Sequence, residues 1–329
     1  MIDLSIVIVS WNVCDLLRQC ILSILAERNR SPEAGDSRSS NDIEIIVIDN
    51  GSSDESARML REEFPDVLVI ENDSNPGFAT ANNQGIAQAH GRYLLLLNPD
   101  AEVVGGALAT LIGFADSNPD VGLLGPQLLN TDGSVQSSMR RFPTIATALF
   151  ESTWLEPVAP GRLTDRYYMR DRDASEPLDV DWVQGAALFA RREVIEQVGG
   201  MDEQYFMYSE ELDWCRCIKN AGWRIVYVPE AQVVHHGGKS SDQVIASRHI
   251  HFQTSKVLYF RKYHGVLLSE LLRMFLLGNY VWQLGVEGLK WLLGHRRSLR
   301  LERIAVYCEV LGTGLRGHGT GWRTTGDNE

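Results

Sequence analysis

Short apolar segments recur in the first hundred positions, and this recurrence limits the possible folds more than any other feature of the chain. Three of them are LSIVIVS (4–10), IEIIVI (43–48) and YLLLL (93–97), and VLVIE (67–71) is a fourth. Apolar segments of this length, several of them rich in β-branched residues, are typical of strands buried on both faces of a sheet.

The segments between these strands contain apolar residues at helical spacing. We expect one helix from about Cys14 to Ala26 and another over roughly 79–89. Strands that alternate with helices build βαβ units, so the sequence predicts an α/β fold with a mostly parallel central sheet and helices on both faces. The stretch 28–42 is polar and rich in Ser, Pro and Gly, which predicts a surface loop.

The pattern is less regular after about residue 120. We expect a polar loop over 156–181, a helix from about Arg192 to Val198 and a second helix that ends near Asn220. Gly222 is well placed to terminate that second helix. A further strand is predicted from Arg224 to Val228.

Charge is distributed unevenly along the chain. The net charge is −12, yet residues 251–329 contain eleven Lys and Arg against six Asp and Glu. An acidic body offers no broad basic surface to neutralise phosphates, which excludes a nucleic-acid partner. The five cysteines show neither a paired framework nor zinc spacing, and we expect no signal peptide before the first strand. We therefore expect reduced thiols and a cytoplasmic location.

Polar residues stand where the predicted strands end. They are Ser10, Trp11 and Asn12 after the first strand, Asp49 after the second, and Asn98 and Asp100 after the leucine-rich strand. Ligands of open α/β sheets bind at the carboxyl ends of the strands. The sequence therefore predicts a binding site at this edge of the sheet.

The sequence lacks the motifs of three other classes of enzyme. A dinucleotide oxidoreductase would carry G-x-G-x-x-G after the first strand, where this chain has S-W-N-V. A nucleotidyltransferase would carry a Gly-rich loop with Lys or Arg at the same place. A processive polymer synthase would carry Q-x-x-R-W and helices long enough to span a bilayer.

Seven segments, taken in order, resemble the family 2 glycosyltransferases of the GT-A fold, which include many bacterial rhamnosyltransferases. They are VSWN (9–12), VIDNGSSD (47–54), NPGFATANNQGI (75–86), LLLLNPD (94–100), WVQGAALFARR (182–192), GGMDEQYFMYSEELDWCRC (199–217) and HHGGKSS (235–241). The resemblance covers roughly 3–265. It implies a catalytic domain over 1–265, with a nucleotide-sugar half (1–120) and an acceptor half (121–265), followed by an amphipathic helical tail over 266–329.

The resemblance also implies a reaction. A nucleoside diphosphate sugar donates its sugar to an acceptor hydroxyl with inversion, and a bound Mg²⁺ or Mn²⁺ neutralises the leaving diphosphate. Within the family, dTDP-L-rhamnose is the favoured donor and a lipid-linked saccharide of cell-envelope polysaccharide synthesis the favoured acceptor. The alternatives are a UDP-hexose donor or, in a different class, a non-catalytic module that binds nucleotide sugars.

The family's motifs assign the donor side of the site. Asp100 is the expected metal ligand, with His235 as a second ligand, and Asn98 stands where the family often has the first acid of D-x-D. Asp49 matches the residue that binds the nucleotide base, although an Asx turn would also explain it. The remaining expected contacts to the nucleotide sugar are Ser10, Trp11, Asn12, Asn50, Ser52, Asn75, Gly77 and Asn82. His236 fits a structural role, and Lys239 and Ser240 either contact the diphosphate or lie in an exposed loop.

The acceptor side is assigned in the same way. Glu211, or its neighbour Glu210, matches the base that removes the acceptor proton, and we expect Asp100 and Glu211 to face one another across a single cleft. An acidic first helical turn is the structural alternative for this pair. Trp182, Gly185 and Asp213 are the expected acceptor contacts, with core packing as the alternative for Trp182 and Gly185.

The tail contains leucines and aromatic residues interrupted by Glu270, Arg273, Glu287 and Lys290. These charges favour amphipathic helices over a transmembrane segment. The apolar side of such helices could lie on an anionic membrane surface at the inner face of the cell membrane, pack on the catalytic domain or form a homodimer interface.

Overall fold

The computed structural model describes residues 2–29, 42–237 and 244–316. The strands are β1 (Leu4–Ser10), β2 (Ile43–Asp49), β3 (Leu68–Glu71), β4 (Tyr93–Leu97), β5 (Ala101–Val104), β6 (Val121–Leu129), β7 (Met139–Arg140), β8 (Leu178–Asp179), β9 (Trp182–Val183), β10 (Ala187–Arg191) and β11 (Arg224–His235). The helices are α1 (Cys14–Arg28), α2 (Ser56–Glu63), α3 (Phe78–Gln88), α4 (Ala107–Ser117), α5 (Ile145–Phe150), α6 (Gly161–Tyr167), α7 (Arg192–Val198), α8 (Glu210–Asn220), α9 (Ile245–His264), α10 (Val266–Leu292) and α11 (Arg297–Thr313). A short 3₁₀ turn covers Glu156–Val158.

The central sheet has the strand order β3-β2-β1-β4-β10-β6-β11-β5, with β8 paired to β11. The predicted α/β fold is confirmed, and the first four strands are parallel as expected. Beyond β4 the sheet is mixed, because β10 runs antiparallel to both β4 and β6. The strands β7 and β9 form a separate pair.

Side chains of β1 alternate between two apolar cores, one on each face of the sheet. Leu4, Ile6 and Ile8 contribute to the core that packs against α1, α2 and α4. Val7 and Val9 contribute to the opposite core, which packs against α3, α7 and α8. This period of two is the reason that the whole β1 segment is apolar.

Most predicted elements have the expected bounds, but two predictions are wrong. The polar loop expected over 156–181 contains the 3₁₀ turn, α6 and β8, and β11 continues beyond its predicted end at Val228. The next residue, Pro229, has no N–H to donate to a neighbouring strand. The structure absorbs the proline in a register shift between Val228 and Gln232, and the strand continues to His235. The predicted loop 28–42 lies almost entirely outside the described residues.

The C-terminal helices pack on the body of the protein. Leu272, Leu276 and Tyr280 of α10 share a buried core with Tyr205 and Leu212, which belong to the body. One side of α10 is therefore buried. Among the described helices, none combines the length and the apolar character needed to cross a bilayer.

We predict that Leu276→Ala lowers the free energy of unfolding by about 2–5 kcal/mol, because Leu276 is fully buried and its loss leaves a cavity. The matched control is Leu271→Ala on the same helix, where the side chain is 59% exposed. That variant should differ from the parent by less than about 0.5 kcal/mol. Urea unfolding measures the free energy of unfolding of both variants. Equal decreases in the two would contradict the assigned packing of α10.

Candidate active site

A cavity opens at the carboxyl ends of β1, β2 and β4, where the sequence predicts a binding site. The empty space in and above this rim cavity is about 730 Å³, open solvent included. Its lining includes five residues that the sequence analysis assigns to nucleotide-sugar binding: Trp11, Asn50, Asn75, Asn98 and Asp100.

Asp100, which lines the rim cavity, lies beside His235, which is not part of that lining, although 135 positions separate them in the sequence. Antiparallel pairing of β11 with β5 places His235 opposite Ala101. The Nε2 atom of His235 lies 3.4 Å from Oδ1 of Asp100 and 3.5 Å from the amide nitrogen of Asn98. Both side chains are more than nine-tenths buried.

Gln136 fixes the orientation and the tautomer of His235. Its amide nitrogen donates to the backbone carbonyl of His235 at 2.7 Å, so its amide oxygen, 3.0 Å from Nδ1, accepts from the ring. Nδ1 of the ring therefore donates to Gln136, and Nε2 is the ring nitrogen that faces Asp100. A histidine held in this way by a second polar residue is typical of metal ligands.

Asp49 forms the Asx turn that its sequence position allows, and its role in binding a nucleotide base stays a prediction. One carboxylate oxygen accepts from the backbone N–H of Ser52 at 3.0 Å, which is the Asx turn. The other, Oδ1, is buried and has no hydrogen-bond partner among the described residues, and the same is true of the Ser10 hydroxyl in the neighbouring strand. Burial raises the pKa of Asp49 above its ordinary value. Neither Asp49 nor Ser10 lines the rim cavity, although their chain neighbours Val9, Trp11 and Asn50 do.

Other predicted donor residues brace the loops around the cavity. The backbone N–H of Asn12 donates to the Ser52 hydroxyl at 2.9 Å, and the Asn12 side chain accepts from the N–H of Ser53. The amide of Asn50 donates to Asn75 at 3.2 Å. These contacts hold the loops after β1, β2 and β3 against one another.

Gly77 and Asn82 do not line the cavity. Asn82 is buried and donates to the carbonyl of Phe78 within its own helix. Gly77 has a φ of 97°, and a Cβ there would lie 2.6 Å from the carbonyl oxygen of Phe206. Glycine at this position therefore lets the segment 206–209 approach the start of α3.

Glu210 and Glu211 begin α8, and their side chains lie in different surroundings. Glu210 is buried, and that burial, together with the charge of Glu211, raises the pKa of its carboxyl well above the ordinary value. Burial also raises the pKa of Glu211, while backbone N–H groups, including that of Gly185, and the charge of Arg140 lower it in part. One carboxylate oxygen of each has no partner among the described residues.

Glu211, and not Glu210, lines a second cavity of about 490 Å³. We call it the aromatic cavity, because its lining is rich in aromatic rings: Tyr167, Trp182, Tyr208, Phe252, Tyr259 and Phe260. Asp213 is absent from this lining. It is buried and its carboxylate binds Lys262 at 2.8 Å, so it ties α8 to α9.

Asp100 and Glu211 therefore line two adjoining cavities, not the single cleft expected from the sequence. The segment 206–209 separates them, since its first two residues line the rim cavity and its last two line the aromatic cavity. The two sides remain close. The backbone N–H of Asn98 donates to Ala186 at 2.9 Å, and a Cβ on the adjacent Gly185 would lie 3.5 Å from Cγ of Glu211.

The helix α9 contributes to both cavities, and the sequence analysis missed it. Arg248 and His251 line the rim cavity, and Lys256 lines the aromatic cavity, where it is paired with Glu151 at 3.0 Å. The face of α9 also holds the segment 206–209: the His251 ring stacks on Phe206 with centroids 4.4 Å apart. No local motif marks these residues, because their role comes from packing across the molecule.

His236 has the structural role that the sequence suggests. Its Nε2 atom lies 2.6 Å from a carboxylate oxygen of Glu102, and its backbone N–H donates to the carbonyl of Asp100. Lys239 and Ser240 lie outside the described residues.

Comparison with known proteins places these features in a wider group. A model of the family described as Glycosyl transferase family 2 matches residues 5–199. The N-acetylglucosaminyl-diphospho-decaprenol L-rhamnosyltransferase of Mycobacterium tuberculosis is 31% identical over 248 residues, which cover 72% of this chain and 80% of that protein. The rhamnosyltransferase WbbL of Escherichia coli is 27% identical over 202 residues, which cover 58% of this chain and 72% of that protein.

Solved structures share the fold. The mannosyltransferase PcManGT from Pyrobaculum calidifontis, in complex with GDP-Man and Mn²⁺, matches with a TM-score of 0.54 at 16% identity, over 95% of this chain and 87% of that one. The architecture is therefore GT-A: a central α/β sheet with helices on both sides and a C-terminal helical part.

The burial of Glu210 predicts a pH-dependent stability. Its pKa is raised in the folded state, so the unfolded chain loses this proton first, and stability falls as the pH rises from the ordinary value of 4.5 towards the raised one. Glu210→Gln removes the carboxylate whose charge is unfavourable in this buried position. We expect the variant to be more stable than the parent by roughly 1–3 kcal/mol at pH 8 and equally stable at pH 4, in urea unfolding at both values. A constant difference between the two pH values would contradict the assigned titration.

Proposed function

Because this chain belongs to glycosyl transferase family 2, we propose that it moves a sugar from a nucleoside diphosphate to an acceptor hydroxyl and inverts the anomeric carbon. The rim cavity takes the donor and the aromatic cavity takes the acceptor. One observation carries this assignment: Asn98, two residues before Asp100, is bonded to Ala186, and the adjacent Gly185 lies against Glu211.

Asp100 and His235 fit a divalent cation. Oδ1 of Asp100 and Nε2 of His235 lie 3.4 Å apart, and oxygen and imidazole ligands suit Mg²⁺ or Mn²⁺. The described part of the chain contains no group of three or more His, Cys, Asp or Glu side chains that could hold a metal. Asp100 and His235 are the residues that would hold the cation. When bound, the cation supplies Lewis-acid stabilisation of the leaving diphosphate.

Asp49 and Ser10 bind the nucleoside. A buried carboxylate oxygen accepts hydrogen bonds and donates none, so Asp49 Oδ1 favours a base that presents an N–H group. Thymine and uracil both present one at N3. The names of the two relatives described above favour dTDP-L-rhamnose over a UDP-hexose.

Glu211 acts as the general base. Its carboxylate accepts the proton of the acceptor hydroxyl while that oxygen attacks the anomeric carbon, and the diphosphate leaves on the opposite side of the sugar. Glu211 is preferred to Glu210 because it lines the aromatic cavity, where the acceptor would sit. Its raised pKa brings it closer to the working pH, which makes it a better proton acceptor than an exposed carboxylate.

The acceptor is a lipid-linked saccharide of cell-envelope polysaccharide synthesis. The Mycobacterium tuberculosis relative is named for an acceptor of this kind. The aromatic cavity is chemically suited to a sugar, because the faces of rings such as Trp182 and Tyr259 can pack against the C–H groups of a pyranose.

A donor panel tests the donor side. We expect nucleoside diphosphate release to be fastest with dTDP-rhamnose, to require Mg²⁺ or Mn²⁺, and to stop when the metal is chelated. Asp100→Asn should lower kcat by about a hundredfold or more, because the cation loses its charged ligand. The control is Asp132→Asn, an exposed turn residue, which should keep the parent rate. A preference for UDP-hexoses would contradict dTDP-rhamnose as the donor. Full turnover by Asp100→Asn in the absence of metal would contradict a role for the cation.

Turnover as a function of pH tests the base. Glu211→Gln should lower kcat by about 10²–10⁴-fold with little change in nucleotide affinity, and Glu210→Gln should cost less. In the parent, the rate should fall as the pH drops through the raised pKa of Glu211, because a protonated carboxyl cannot accept the hydroxyl proton. A larger loss in Glu210→Gln would move the base to Glu210. If both variants kept the full rate, neither glutamate would be the base, and the alternative of a non-catalytic module that binds nucleotide sugars would be favoured.

A further inference from the structure

One side of α10 is apolar and exposed along the whole helix. The exposed apolar side chains share one face of the helix at 100° per residue, with the exposed glycines Gly278 and Gly285 between them. They form one stripe of side chains, each at least 58% exposed: Leu267, Leu271, Met274, Val281, Trp282, Leu289 and Leu292. A helix of 27 residues extends about 40 Å. A continuous apolar surface of this length on a folded protein indicates an interaction site.

The stripe continues onto the body beside the aromatic cavity. Trp282 packs on Trp154 with ring centroids 6.1 Å apart, and about half of each side chain is exposed. The backbone N–H of Trp154 donates to the side chain of Asn279 on α10 at 2.9 Å. Trp154 lies only three residues after Glu151, which lines the aromatic cavity. The tryptophan pair thus extends the stripe onto the segment of the body that also contributes Glu151 to the aromatic cavity.

One end of the stripe is basic. Arg296, Arg297 and Arg303 are exposed there beside one exposed acid, Glu302, and Lys290 is partly exposed. The nearby carboxylate of Glu287 is buried and neutralised, since Lys290, Arg300 and Arg303 all lie within 3.6 Å of it. The remaining exposed positive charge is complementary to an anionic surface.

We propose that the stripe of α10, together with Trp154 and Trp282, docks on an anionic lipid surface and so presents the head of a lipid-linked acceptor to the aromatic cavity. Half-exposed tryptophans suit the boundary between water and acyl chains, and basic side chains suit anionic headgroups. A second copy of this chain is a poorer occupant. Along α10, which the structure describes throughout, the only acids are Glu270, bonded to Arg273, and the neutralised Glu287, so a facing α10 offers little charge to the basic end.

Vesicle co-sedimentation tests the docking without any catalytic step. The parent should bind vesicles of phosphatidylcholine with 30 mol% phosphatidylglycerol (roughly the charge of an anionic leaflet) more tightly than pure phosphatidylcholine, and added salt should weaken that binding. The double variant Trp154→Ser/Trp282→Ser should lose affinity about tenfold or more, because two large apolar side chains no longer insert. The matched control is Leu22→Ser, a half-exposed apolar residue on α1, which should bind as the parent does.

A second pair, Leu271→Ser/Leu289→Ser, repeats the test on the stripe itself, and unfolding midpoints verify that each variant is folded. Equal vesicle binding by parent and variants overturns the proposal. Sedimentation of a stable dimer that these substitutions dissociate, with no vesicle affinity in the parent, assigns the stripe to a second copy instead.

The presentation of a lipid-linked acceptor rests on the proposed function, but the docking on lipid does not. An experiment can therefore reject either one without the other. Transfer is measured to a polyprenyl-diphosphate saccharide in vesicles and to the same saccharide diphosphate on a short, water-soluble alkyl chain. The tryptophan double variant should lose rate on the vesicle-borne acceptor and keep it on the soluble one. Absence of transfer by the parent to either acceptor rejects the proposed function, while co-sedimentation still decides the docking.

Discussion

Strand β10 runs between β4 and β6 in the direction opposite to both, so its first residue lies beside the last residue of β4. The turn before β10 therefore reaches the same edge of the sheet as Asn98, and Gly185 in that turn leaves the space against which Glu211 packs. A parallel strand in this place would begin at the opposite edge, far from Asp100. The approach of the turn at Asn98 to Gly185, and through Gly185 to Glu211, depends on this one reversal of direction.

Two hydrogen bonds hold the segment 206–209 in place, one at the start of α3 and one to α9. On one side the N–H of Phe78 donates to the carbonyl of Phe206, which only the glycine at 77 permits. On the other side the Ser255 hydroxyl of α9 donates to the carbonyl of Met207 at 2.8 Å. Residues 208 and 209 both have positive φ, a conformation that costs side-chain-bearing residues about 1 kcal/mol or more each. The packing overcomes this cost and fixes where α8, and with it Glu211, begins.

Several buried polar atoms in the site lack partners among the described residues, including Ser10 Oγ, Asp49 Oδ1 and one oxygen each of Glu210 and Glu211. Each such atom costs roughly 1–3 kcal/mol of stability. The apolar cores on both faces of the sheet and the third core under α10 tolerate that cost. Described residues away from the two cavities, for example Ser56 and Arg300, also have buried atoms without partners, so these atoms alone do not mark the site.

The sequence by itself determined the elements and the local chemistry. The apolar strands, the polar residues that follow them and the acidic start of α8 are all local patterns, and the structure has them where the sequence predicts them. Only the tertiary structure decided which of these residues meet. The direction of β10, the passage of β11 beyond Pro229 to His235, the division of the cleft by 206–209 and the contribution of α9 all come from pairing between distant segments. Pairing of this kind depends on the summed packing of the whole chain, so no short stretch of sequence records it.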